Sequence, residues 1–120
     1  ILGPAPGKVD FHVRDQILSS SMTRFEGEAP PETHQIDVLS AAEVFADIAP
    51  SVLICDIEGA EVDLIPSLPL DTLRAAIIEL HPQWIGPEGV NKVFAAFMQA
   101  SMAYYHRGSH NKVVAFRREW

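Results

Sequence analysis

Five residues in two short stretches have side chains that could work together. Asp56, Glu58 and Glu61 lie in Asp56-Ile-Glu-Gly-Ala-Glu61, and Glu79 and His81 lie in Ile77-Ile-Glu-Leu-His81. Asp56 could bind a hydroxyl or take its proton, although an aspartate here could equally cap the helix that follows. Glu58 and Glu61, three residues apart near a helix start, sit where the helix dipole favours ionised carboxylates, which suits them to bind substrate rather than to act as acids. Glu79 stands among Ile77, Ile78 and Leu80, where a charge is costly unless it is paired or used. His81 brings an imidazole, the natural general base near neutral pH. Asp56, Glu79 and His81 are therefore the catalytic candidates, and Glu58 and Glu61 the substrate-binding ones. A cation held by Asp56, Glu58, Glu79 and His81 would be magnesium or manganese rather than zinc, since oxygen predominates. No helical histidine pair or compact ligand motif accompanies them, so spacing alone assigns no metal.

The elements that must position these side chains are legible around them. Val52-Leu-Ile-Cys55 is apolar without alternation, which predicts a strand buried on both faces, as in parallel sheets covered by helices. Asp56 then stands at its carboxyl end, the edge where α/β sheets bind ligands. Ala75-Ala-Ile-Ile-Glu-Leu80 is a second such run. Between them, Gly59 to Ile65 has room for about two helical turns before Pro66, and Pro69 with Asp71-Thr72 restarts a short one. Strand, helical crossover and strand form a βαβ unit, whose strands are parallel and adjacent and bring Glu79 and His81 to the edge that holds Asp56. Pro82 ends the second strand.

Upstream, Val9, Phe11 and Val13 alternate with Asp10 and His12, the pattern of a half-exposed strand, and Thr33 to Val38 reads as another. Arg14 to Glu32 reads as a long loop, with room for a short strand at Ile17-Leu18. Ser40-Ala-Ala-Glu43 is a capping box, with Leu39 and Val44 as its hydrophobic staple and Val44, Phe45 and Ile48 as the apolar face of the helix it opens. Downstream, Gly86-Pro87-Glu88 starts a helix whose apolar face is Val90, Val93, Phe94, Phe97 and Met98. Met102 to His106 and Val113 to Arg117 form an antiparallel hairpin through Gly108-Ser-His-Asn111. His12, His34, His106 and His110 read as structural or solvated, and Cys55 as a packed core residue.

Two parallel strands followed by a helix and a terminal antiparallel hairpin is how the class I methyltransferase sheet ends. Asp56-Ile-Glu-Gly-Ala-Glu61, with Ile77-Ile-Glu-Leu-His81 after it, resembles the signature of the FkbM-like methyltransferases over residues 8 to 118. The resemblance implies an α/β fold, the C-terminal part of a Rossmann-like sheet. It also implies S-adenosylmethionine as cofactor and methylation of a hydroxyl on a small-molecule acceptor such as a sugar, polyketide or lipid. The family's glycine-rich loop and ribose-binding acid have no counterpart here. Residues 1–120 therefore read as one domain, a fragment lacking the N-terminal cofactor-binding strands and inactive alone. Ile54 stands where the family commonly has lysine, and the aspartate usual at the preceding helix is absent from Leu39-Ser-Ala-Ala-Glu43. The alternative from a different class is a non-catalytic α/β binding module, or a homo-oligomer paired through an exposed sheet edge.

Composition excludes other classes. Nine basic against 16 acidic residues, with a net charge of −7, leave no footprint for nucleic acid. A single cysteine excludes an intrachain disulfide and fits a reducing, cytoplasmic setting. No apolar run approaches the roughly 18 residues of a membrane span.

Overall fold

A computed structural model of the chain describes residues 1–13 and 32–119. The element order is β1 (Leu2–Gly3), β2 (Gly7–Val13), β3 (Glu32–Ser40), α1 (Ala41–Ile48), β4 (Val52–Cys55), α2 (Glu61–Leu64), β5 (Ala75–Glu79), α3 (Pro82–Gln99), β6 (Ala103–Tyr104) and β7 (Val113–Arg117). Short 3-10 turns at Ile65–Ser67 and Leu70–Thr72 complete the passage from β4 to β5. The strands form two mixed sheets, one of three strands in the order β1-β3-β2 and one of four in the order β4-β5-β7-β6. The molecule is an α/β fold.

In the larger sheet β4 and β5 are parallel neighbours, paired from Val52 with Ala75 through Cys55 with Ile78. That is the outcome expected of a βαβ unit. β7 runs antiparallel between β5 and β6, so the terminal hairpin is present, with a 3-10 turn at His106–Gly108 in its connector. In the smaller sheet β2 and β3 pair antiparallel over seven residues, and β1 joins β3 in parallel. β3 extends to Glu32 and Ser40, longer than the strand expected from Thr33 to Val38. The expected loop from Arg14 and the short strand at Ile17-Leu18 lie outside the described residues.

One face of the larger sheet carries the core. The register aligns Leu53, Ala76 and Phe116, and beside them Cys55, Ile78 and Val114. Against this face lie Val93 and Phe97 of α3, with Ile65, Leu68, Leu70 and Leu73 from the crossover. Phe97 stacks on Phe116 with centroids 4.3 Å apart, and Phe94 meets the same ring edge-on. The Arg118 guanidinium ties the chain end to the crossover by donating to the carbonyls of Leu73 and Leu70.

The other face corrects the expectation that β4 is buried on both sides. Ile54 is 75% exposed, Val52 49% and Ile77 40%. These residues share the face opposite the core, on which, among the described residues, Ala115 of β7 alone is buried, beneath the 3-10 turn at His106–Gly108. β4 is also an edge strand among the described residues.

Two helices adjust their expected boundaries. Ser40 caps α1 by accepting the Glu43 N–H, as the capping box predicts. Leu39 and Ile48 are nevertheless exposed, so α1 docks through Ala41 and Phe45 rather than through a staple and an Ile48 face. α3 begins a turn before Pro87, at Pro82, and breaks at Gly86, where φ is 63° and ψ 178°. That conformation is open in practice only to glycine, and Pro87 restarts the helix where the sequence places a start. No helix among the described residues is long and apolar enough to cross a membrane.

Candidate functional site

The carboxyl ends of β4 and β5 meet at His81. Asp56 and Glu79 follow the last paired residues, Cys55 and Ile78, so the parallel register alone brings their backbones side by side. Beyond Asp56 the chain turns through two left-handed residues, Glu58 at φ 54° and Gly59 at φ 100°. Glycine at 59 meets two needs, since a Cβ there would lie in strained backbone and 3.3 Å from the Trp84 ring. The turn delivers Glu61 to the first position of α2, beneath the loop.

Glu61 is the support of the site. It is fully buried, and its carboxylate accepts the Gly59 N–H at 2.7 Å and the His81 N–H at 2.9 Å. His81 Nδ1 lies 3.2 Å from Glu61 Oε1, which can only accept as a carboxylate, so Nδ1 is the donor. Expected among the substrate-binding acids, Glu61 instead has both oxygens engaged inside the protein, because α2 starts at this residue and turns its side chain under the loop. A surface cannot reach it.

His81 is 1% exposed and joins β5 to α3. Its ring stacks on Trp84 at 5.0 Å and 11°, and its carbonyl accepts the N–H groups of Trp84 and Ile85. Nε2 faces the remaining acids, with Glu58 Oε2 at 3.2 Å, Asp56 Oδ1 at 3.7 Å and Glu79 Oε1 at 3.9 Å. As a general-base candidate His81 would be expected to stand open to substrate. Here it is the buried floor, and the half-exposed carboxylates of Asp56 and Glu58 are what an incoming molecule would touch.

Glu79 has the partner that its apolar neighbours demand. Lys112, just before β7, donates to Glu79 Oε1. This hydrogen bond holds the Glu79 carboxyl below the ordinary carboxylate range, with desolvation opposing it, and raises the Lys112 ammonium in return. Lys112 and Trp84 are the members that sequence reading missed. The signal for Trp84 was its place one helical turn after His81; that for Lys112 was its place just ahead of the strand that pairs with β5.

The five expected residues thus come together, while the other histidines do not join them. His12 Nδ1 contacts Thr33 Oγ1 across β2 and β3, and His34 lies beside Glu32. Cys55 packs in the core. Burial, aided by the charges of Glu61 and Asp56, pushes its thiol up to about 11, so it is no nucleophile near neutral pH.

Beside Asp56, on the β4 side, runs an apolar cleft of about 780 Å³ lined by Ile1, Leu2, Val9, Phe45, Leu53 and Ile54 among others. Among the described residues, Asp56 and Asp63 are its acidic members, and neither lysine nor arginine lines it.

Comparison of the chain with family models, curated proteins and solved structures finds no match.

Proposed function

We propose that the chain is the acceptor-side half of an S-adenosylmethionine-dependent methyltransferase domain, acting on a hydroxyl of a small molecule. The observation that carries this reading is the gathering of Asp56, Glu58 and Glu79 over His81 at the carboxyl ends of two adjacent parallel strands. The acids come from the two stretches that resemble the FkbM-like signature. A helix and an antiparallel hairpin follow β5, the order that the resemblance implies.

Methyl transfer to a hydroxyl requires in-line alignment and a group that takes the proton as the new bond forms. Asp56 is the most accessible carboxylate of the cluster and is assigned that proton. Glu58 orients the acceptor by accepting from a neighbouring hydroxyl, since the reacting one has a single proton to give. His81, pinned through Nδ1 by Glu61, lies buried with its Nε2 edge beside Asp56 and Glu58, so it is a positioning residue rather than one that meets the acceptor. Lys112 compensates Glu79 and limits the repulsion among the acids.

When bound, S-adenosylmethionine supplies an electrophilic methyl group. The cleft beside Asp56 has apolar walls for a nucleoside, but among the described residues no lysine or arginine lines it to hold the amino-acid carboxylate. The described residues therefore do not make a complete cofactor site, and no step is drawn through it.

Asp56→Asn in the full protein should lower methyl transfer to a hydroxylated acceptor by about a hundredfold or more, in keeping with loss of a general base. Its melting temperature should stay near wild type, because the side chain is half-exposed. Transfer assays with labelled cofactor, beside a thermal scan, decide this; unchanged turnover removes Asp56 from the mechanism.

A second reading, a non-catalytic module that pairs with another chain, is favoured by the open apolar face of Val52, Ile54 and Ile77 at an edge strand. Sedimentation of a dimer together with no calorimetric heat for S-adenosylmethionine would select it.

A further inference from the structure

We infer that Asp56, Glu58, Glu79 and His81 form a binding site for one divalent cation of the manganese or magnesium type. The inference stands on side-chain geometry and does not depend on methyl transfer. One ligand atom each from Asp56, Glu79 and His81 lie within 4.8 Å of one another. Glu58 Oε2 adds a fourth, 3.2 Å from His81 Nε2.

The cluster differs from a surface patch of acids because a nitrogen ligand is built into it from below. His81 is 1% exposed, its ring is clamped between Trp84 and Glu61, and Nδ1 is committed to Glu61 Oε1. Only Nε2 is left to point at the acids. In the neutral ring with its proton on Nδ1, Nε2 presents a lone pair, and every neighbour it faces at Asp56, Glu58 and Glu79 is an oxygen that also presents lone pairs. A cation at their centre turns that repulsion into ligation. The carboxylate behind the histidine completes the chain of carboxylate, imidazole and cation that orients metal-bound histidines in general.

The charge balance agrees. The four carboxylates of Asp56, Glu58, Glu61 and Glu79 gather around His81, and among the described residues Lys112, bonded to Glu79, is the one ammonium paired with the cluster. The donor set of three oxygens and one imidazole nitrogen, without thiolate, suits a hard six-coordinate ion, with the nitrogen tilting preference towards manganese. Around such an ion, with oxygens at about 2.1 Å, adjacent ligands sit about 3 Å apart and opposite ones about 4.2 Å. The Asp56, Glu79 and His81 atoms lie within 4.8 Å of one another, and the half-exposed side chains of Asp56 and Glu58 are free to move inward. Lys112 competes for Glu79, so removing its charge should tighten binding.

Titration of the purified, chelator-stripped protein with manganese chloride tests this, reading the loss of the aqueous Mn(II) electron paramagnetic resonance signal. One ion per chain should bind, and magnesium should displace it. Asp56→Asn, Glu58→Gln and Glu79→Gln should each weaken binding by about tenfold or more. Lys112→Met should strengthen it, and Asp71→Asn, at the opposite end of β5, should leave it unchanged. The three carboxylate variants lie at exposed or half-exposed positions, and circular dichroism identifies any that fails to fold, leaving the others to decide. An undiminished manganese signal with wild-type protein overturns the site, as do folded carboxylate variants that all bind like wild type. A proton on Nε2 shared with Glu58 is then what holds the cluster.

Discussion

Glu61 receives the Gly59 N–H, the His81 N–H and His81 Nδ1 on one buried carboxylate. The two His81 donors are buried and the Gly59 N–H is partly so, so deleting the acceptor leaves the His81 donors unpaired, and an unsatisfied buried donor costs roughly 1–3 kcal/mol. Glu61→Ala should therefore lower the unfolding free energy by about 3 kcal/mol or more, measured as a shift of the urea midpoint. Asp63, two residues on, bonds Lys92 at the surface, and Asp63→Ala should change stability by less than about 1 kcal/mol. Equal effects would mean that Glu61 is no strut. The same residue shows a limit of reading by type. The spacing of Glu58 and Glu61 suggested two equivalent acids at a helix start, yet one faces outward and the other is sealed beneath the loop.

At the scale of elements, the conformation of Gly86 divides α3 into a single turn that carries His81 and Trp84 and a longer helix that packs on the sheet. A side chain is poorly tolerated at φ 63° and ψ 178°, where strain costs about 1–3 kcal/mol. Gly86→Ala should lose stability within that range in thermal or urea unfolding, and because the break sets where the first turn begins, it should also disturb the stacking of His81 on Trp84. A neutral Gly86→Ala would show that the break is not required. Pro87 marked the longer helix in the sequence, but Pro82 read only as the end of a strand. Its role as first residue of a turn depends on His81 being buried against Glu61, a contact between residues twenty positions apart.

At the scale of the whole molecule, β4 and β5 of the larger sheet are covered on one side. Ile54 and Ile78 belong to adjacent strands and have the same chemistry, yet Ile54 is largely exposed and Ile78 fully buried. Ile78→Ala should cost about 2–5 kcal/mol through lost contact and cavity formation. Ile54→Ser should change stability by no more than about 0.5 kcal/mol, as surface substitutions do. Parallel urea titrations of the two variants check the asymmetry, and a large loss for Ile54→Ser would show that this face is covered in solution.

What the sequence determined by itself is local: the apolar runs of β4 and β5, the Ser40 cap, the proline start at 87, the terminal hairpin, and the identity of the five candidate side chains. Each follows from residue type and period within a few positions, and the parallel pairing follows from the length of the crossover. Tertiary structure alone decided the rest. Closure of Asp56, Glu58, Glu61 and Glu79 around one histidine depends on the register of β4 against β5 and on the left-handed turn at Glu58 and Gly59. The entry of Lys112 depends on β7 lying beside β5. An uninterrupted apolar run reads alike whether a strand has one covered face or two, since its composition records hydrophobicity and not what packs against it. Only the placement of α3 and the crossover turns on one side shows which face of β4 is the core.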